Sequence, residues 1–169
     1  LSSVERYDPA TNAWEAVAPM ATARDYHATA VLDGKLYAVG GRSNGASLSS
    51  VERYDPALDA WEAVAPMATA RLEHAVAVLD GKLYAVGGYN GGALSSVERY
   101  DPEMNAWEAA APMASARECH GVAVFSGTLG SWSPSSDAAG AGAGAASALR
   151  GENTRRVLSR TDDVMSSTN

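Results

Sequence analysis

The nine residues LSSVERYDP occur three times, at 1–9, 48–56 and 94–102, so the fold must be built from a unit of 46 to 47 residues. Other landmarks keep that step. Trp14, Trp61 and Trp107 recur in register, as does APM at 18–20, 65–67 and 111–113, while LDGKLYAVGG stands at 32–41 and again at 79–88. A period of this length marks an array of supersecondary units, each unable to bury its apolar faces alone and obliged to stack on its neighbours.

Within one unit the pattern is that of short strands and tight turns. Residues 27–32 and 35–39 read as two strands joined by Asp33-Gly34, a pair suited to a two-residue hairpin. Gly40-Gly41 and the polar loop RSNGAS follow, then a strand over 50–54, the turn DPALD and a strand over 61–64. Four strands joined this way make a small antiparallel sheet with two apolar faces. Stacking such sheets around an axis covers both.

The order of a Gly-Gly doublet, a Tyr in the VERYDP strand and a Trp seven residues further on, as Tyr7 and Trp14, resembles the kelch repeat over about residues 1–127. That resemblance implies an all-β fold, a partial β-propeller of four-stranded antiparallel blades. The inventory is two complete blades at about 21–64 and 68–110, a half blade at 1–17 holding third and fourth strands, and a half blade at 119–127. After Gly127 the pattern fails, because GTLGSWSP stands where GKLYAVGG belongs. Residues 128–169 read as a low-complexity tail: SSDAAGAGAGAASA has too little to bury and is expected to be disordered. LRGENTRRVLSR is expected to form no more than a transient helix, since it lacks an apolar face.

Closed propellers use about four to eight blades, and this inventory falls short. An aromatic ring burying about 150–250 Å² at roughly 25 cal/mol per Å² is worth on the order of 4–6 kcal/mol at most, and a Trp facing no neighbour forfeits much of it. The chain alone is therefore expected to be marginal, to self-associate through its open blade edges, or to be a piece of a longer propeller. Its start inside a repeat, at Leu1, points to a fragment of a longer product.

Charge narrows the partners. The formal net charge is −7, and in the tail Arg150, Arg155, Arg156 and Arg160 cancel Asp137, Glu152, Asp162 and Asp163, so the whole excess lies on the repeats. An acidic body repels phosphate backbones and anionic headgroups, so neither nucleic acid nor a membrane is an expected partner. The single cysteine, Cys119, cannot form an internal disulfide, which fits a reducing compartment. With no apolar run of about 18 residues and no leader pattern, a cytoplasmic location is expected.

The copies differ in two places. Before the first strand stand Asp25-Tyr26, Leu72-Glu73 and Glu118-Cys119; after the Gly-Gly doublet stand Arg42-Ser43-Asn44 and Tyr89-Asn90. In the four-strand order both loops emerge on one face of the ring, and the kelch resemblance implies that this face binds a protein or short peptide. Free drift of exposed loops is the competing explanation. The glutamates Glu5, Glu52 and Glu98 and the arginines Arg24, Arg71 and Arg117 recur once per unit, which favours pairing of an arginine with a carboxylate or carbonyl between blades over an anion site. His27, His74 and His120 recur near the start of the innermost strand. Such histidines suggest either a metal ring or a hydrogen bond capping the strand, and the latter fits better, because symmetry-related positions diverge around a channel and no carboxylate or cysteine recurs beside them. Glu118 beside Cys119 raises the thiol pKa, against reactivity, with only His120 pulling the other way.

Tyr7, Tyr54, Tyr100, Tyr37 and Tyr84 and the three tryptophans are expected to pack between blades. Gly40, Gly41, Gly87 and Gly88 are expected to allow close approach or positive φ at the strand exit. There is no nucleophile elbow, phosphate loop, HExxH or CxxC pair, and no catalytic residue, cofactor or metal is expected. Some kelch-type propellers are copper oxidases, but such chemistry needs His, Tyr and Cys unique to single blades, whereas these histidines belong to the repeat. The reading is a non-catalytic interaction module. The wording SVERYDP and WEAVAPM is similar to the BTB-kelch type, which implies a substrate adaptor of a cullin-based ubiquitin ligase or, alternatively, an actin-binding protein. A truncated or mispredicted gene product without independent function, with register lost after Gly127, is the remaining alternative.

Overall fold

The computed structural model describes residues 1–133, all of them strand, turn or loop. The disorder and transient helix expected further on lie outside the described residues. The first pair of strands is β1 (Val4–Asp8) and β2 (Ala13–Val17). One complete blade holds β3 (Ala28–Leu32), β4 (Lys35–Val39), β7 (Val51–Asp55) and β8 (Ala60–Val64), with a small hairpin of β5 (Arg42–Ser43) and β6 (Ala46–Ser47) in its middle loop. The next holds β9 (Ala75–Leu79), β10 (Lys82–Val86), β11 (Val97–Asp101) and β12 (Ala106–Ala110). A final pair holds β13 (Gly121–Phe125) and β14 (Thr128–Trp132).

Both complete blades run antiparallel in simple order, β3-β4-β7-β8 and β9-β10-β11-β12. The first strands of successive units approach one another, β3 with β9 and β9 with β13, so they form the inner wall of the fan. Turn chemistry sets each hairpin. Asp33 and Asp80 take φ of 51° beside Gly34 and Gly81, at 73° and 69°, the two positive values that a type I′ turn needs.

Blade position, not local sequence, decides burial. VERYD forms β1, β7 and β11 alike, yet Val51, Glu52 and Tyr54 are buried, as are Val97, Glu98 and Tyr100, whereas Glu5 and Tyr7 are exposed. The core lies between the two complete blades, where Leu32, Tyr37, Val39 and Val51 of one meet Leu83, Ala85 and Tyr100 of the other, with Met67 from their connection. Tyr37 and Tyr100 pack edge to face across this seam with centroids 5.8 Å apart, the arrangement favoured by ring quadrupoles.

One boundary differs from expectation. The half blade was expected to end at 127, but Thr128–Trp132 pairs with β13 in full register, Gly121 opposite Trp132 and Phe125 opposite Thr128. Ser126 at φ 49° and Gly127 at 72° make the same turn as Asp33-Gly34, and a two-residue turn carries TLGSW into pairing although it shares little with KLYAV.

Candidate interaction face

The two variable loop clusters meet in space. Asp25 and Arg42 exchange backbone hydrogen bonds, N to O at 3.0 and 2.8 Å, and Leu72 and Tyr89 do the same at 3.1 and 2.8 Å. Each loop before a first strand is thus zipped to the loop after the Gly-Gly doublet of its own blade. Successive blades are then linked: Glu73 N–H donates to Tyr26 O at 3.0 Å and Cys119 N–H to Glu73 O at 2.9 Å. Tyr26, Glu73 and Cys119 occupy one repeat position and share left-handed φ of 51°, 54° and 47°. A fixed backbone ladder therefore carries three different side chains.

Around that ladder the surface is mixed. The Arg42 guanidinium donates to both oxygens of the Asp25 carboxylate, at 3.1 and 2.9 Å, and lies over the Tyr26 ring at 4.7 Å. Those bonds hold Asp25 below its ordinary carboxylate value. The Cys119 thiol donates to Glu73 Oε2 at 3.1 Å, and the hydrogen bond to that carboxylate, then burial, push the thiol up and away from the reactive thiolate. Tyr26 and Tyr89 are exposed, together with Asn44, Asn90 and Glu118; Ser43 and Glu73 are half-buried.

Beneath the face lies a polar cluster that repeats. Arg71 donates to Gly87 O at 2.6 Å, Ser96 O at 3.2 Å and Glu98 Oε1 at 2.7 Å; Arg24 makes the matching bonds to Gly40 O, Ser50 O and Glu52 at 2.7, 3.1 and 2.6 Å. The carboxylates are filled from the other side by backbone N–H groups, Ala21 and Thr22 on Glu52, Ala68 and Thr69 on Glu98. Burial pushes Glu52 up, but the bonds from Arg24 and the two amides outweigh it and hold it below its ordinary value. The pairing with carboxylate and carbonyl was expected between blades. Instead it lies within one, because each arginine sits in the segment entering the blade whose third strand carries its glutamate.

The histidines also depart from expectation. His74 and His120 have no hydrogen-bond partner on either ring nitrogen among the described residues, so no strand cap forms. They act as spacers: a Cβ on Gly40 would stand 2.9 Å from the His74 ring and one on Gly87 2.8 Å from His120, and both glycines have φ near 60°. Burial, with the nearby Arg71 charge, lowers His74 to about 3, and it stays neutral.

The Kelch motif family matches residues 1–21, 23–68 and 70–114, three consecutive spans that cover most of the described chain. This is a kelch-repeat protein. It is 46% identical over 48 residues to human Kelch-like protein 33, a stretch covering 28% of this chain and 9% of that one. It is 53% identical over 45 residues to human Kelch-like protein 5 (27% and 6%) and 56% over 36 residues to bovine Kelch-like protein 21 (21% and 6%). Among solved structures it resembles that of YjhT, with a TM-score of 0.64 at 20% identity, covering 72% of this chain and 48% of that one. The kelch chain thus spans less than a tenth of these curated relatives and about half of the solved neighbour.

The kelch aromatics do two jobs. Tyr54 and Trp61 stack within a blade at 5.3 Å, as do Tyr100 and Trp107 at 5.2 Å, while each indole N–H reaches the preceding unit: Trp61 to Ala18 O at 2.8 Å, Trp107 to Ala65 O at 2.9 Å. Trp14 stacks on Tyr7 but stands 67% exposed, with no unit on its far side among the described residues. Sequence reasoning missed the residues completing this joint, Asp59 and Asn105. Each accepts from its Tyr hydroxyl and from the backbone N–H of Ala18 or Ala65. The available signal was an Asn or Asp in left-handed conformation at one repeat position, shared by Asn12.

Proposed function

We propose that this kelch chain is a non-catalytic interaction module whose face, built from the loops at Asp25-Tyr26, Arg42–Asn44, Leu72-Glu73, Tyr89-Asn90 and Glu118-Cys119, binds a protein or peptide. One observation carries the reading: a backbone ladder repeated from blade to blade presents side chains that change at every step, while the scaffold beneath stays the same. Aromatic rings beside fixed charges suit recognition, since Tyr offers rigid contact area at low entropic cost. Glu73, next to Tyr26 on the ladder, and Glu118, next to Cys119 further along it, favour a partner segment with basic and apolar side chains. By likeness to Kelch-like proteins, the role is that of an adaptor delivering a substrate to a cullin-based ubiquitin ligase. Binding of actin through the same loops is the alternative form of this reading.

Selection of a displayed peptide library on the full chain tests it. Peptides recovered on the wild-type protein should lose about tenfold or more in affinity to a Tyr26→Ala, Tyr89→Ala double variant, and little to Arg6→Ala on the outer strands. Equal binding to both variants would contradict the reading.

A further inference from the structure

Asn12, Asn44, Asn90 and Asn105 are the asparagines among the described residues, and all of them are exposed. Their surroundings divide them into two kinds. Asn12 and Asn105 precede an alanine that opens a strand, and their Oδ1 atoms accept from the Tyr7 and Tyr100 hydroxyls at 2.8 and 2.9 Å; Asn105 accepts as well from Ala65 N–H at 2.9 Å. Asn44 and Asn90 each precede a glycine, stand on the rim loops after the Gly-Gly doublets, and make no side-chain hydrogen bond among the described residues.

The glycines that follow are also free. Gly45 and Gly91 take φ of 81° and 75°, and a Cβ on either would meet nothing within 4 Å. Neither donates its N–H to a backbone acceptor among the described residues: the pairing of Ser43 with Ala46 closes one turn, and Asn90 N–H to Gly92 O at 3.1 Å closes the other. Each rim loop thus holds an unbonded carboxamide next to an unbonded, sterically open amide nitrogen. A nucleophile in the same chain as its electrophile reacts far faster than a free one, and glycine lets the backbone turn to bring the two together.

We propose that Asn44 and Asn90 are sites of spontaneous modification, each converting to aspartate or isoaspartate through a cyclic imide with its glycine, so that the rim gains negative charge with time. The backbone nitrogen of Gly91 gives its proton to solvent and bonds to Cγ of Asn90. The bond from Cγ to the side-chain nitrogen breaks, and ammonia leaves. Water then opens the imide: at Cγ it yields aspartate, and at the main-chain carbonyl it yields isoaspartate, whose backbone is longer by one methylene. Gly45 and Asn44 follow the same steps. Nothing is oxidised or reduced, and water is the sole co-reactant.

The consequence for recognition rests on the loop reading, although the chemistry does not. Asn44 lies two residues from Arg42, whose guanidinium is already held by Asp25, and Asn90 follows the exposed Tyr89. New carboxylates there strengthen the attraction of the rim for a basic segment.

Peptide mapping by mass spectrometry, on the folded full chain kept near neutral pH, tests the chemistry. Conversion at Asn44 and Asn90 is expected to run about tenfold or more faster than at Asn12 and Asn105. An Ala106→Gly variant gives Asn105 the same following residue but leaves its Oδ1 bonded, so Asn105 should stay slow in the folded variant and approach the rate of Asn90 in urea. Equal rates at rim and joint in the folded wild type, or a fast Asn105 in the folded variant, would overturn the proposal. An Asn44→Asp, Asn90→Asp double variant reads the consequence: basic peptides selected on the wild-type chain should bind it about threefold or more tightly. Unchanged affinity would overturn the effect on recognition, whereas the loop reading itself fails only if Tyr26 and Tyr89 prove dispensable.

Discussion

Arg71 is fully buried, and its charge is tolerated because Glu98, two carbonyls and the Ser96 hydroxyl accept from its outer nitrogens. Replacing it with Met leaves Glu98 buried without its counter-ion, and the expected loss is about 3–5 kcal/mol in urea unfolding. Arg6→Met, which breaks the exposed pair with Glu15, should leave the unfolding midpoint almost unchanged, since solvent screens a surface ion pair. The glycines allow a similar contrast. Gly87→Ala forces a Cβ to within 2.6 Å of Arg117 O and 2.8 Å of the His120 ring at a φ of 60°, whereas Gly81→Ala at φ 69° meets nothing within 4 Å. Gly81→Ala should cost about 1 kcal/mol from backbone conformation alone, and Gly87→Ala clearly more, measured by thermal unfolding.

The four strands of each complete blade were legible because the turns are, and each joint between blades was legible only in part. The Asp-Gly pairs located the inner hairpins of the complete blades, and the VERYDP strand and Trp located the outer ones. TLGSW was missed because it lacks that wording; pairing there follows from the turn and a neighbouring strand, which no single segment displays. The Arg–Glu pairing was readable from recurrence, but whether it lay within or between blades depended on which strand the entering segment crosses. The histidines were read as hydrogen-bonded because buried polar groups usually are, yet a glycine pair leaves room for the ring and no acceptor beside it. At this scale the indole bond is the test of the joint. Trp107→Phe keeps most of the ring and should cost about 1 kcal/mol for the lost bond to Ala65 O, while Trp107→Ala should cost about 3 kcal/mol, both by chemical unfolding.

Across the molecule, the repeated histidines and carboxylates act together in acid. His74, held at about 3 when folded against an ordinary 6.5, takes up a proton on unfolding anywhere between those values. Stability is therefore full above about pH 6.5 and falls as the pH drops, at up to about 1.4 kcal/mol per pH unit for this group. Burial lowers His27 and His120 in the same direction. The Lys35 ammonium beside Asp55 and the Lys82 ammonium beside Asp101 hold those carboxyls down, so a second loss begins as the pH falls through their ordinary range near 3.8. In a His74→Asn variant the slope of unfolding free energy between about pH 6.5 and 4.5 should flatten, and an unchanged slope would place the titration elsewhere.

Hydrogen exchange on the full chain tests the central claim, that repeated units stack as blades and bury their inner strands while the rim stays free. Slowest exchange is expected at 28–39 and 51–55 in one blade and 75–86 and 97–101 in the next, with fast exchange in the rim loops at 43–47 and 90–93. Uniformly fast exchange, or protection strongest in those loops, would contradict the stacked-blade account.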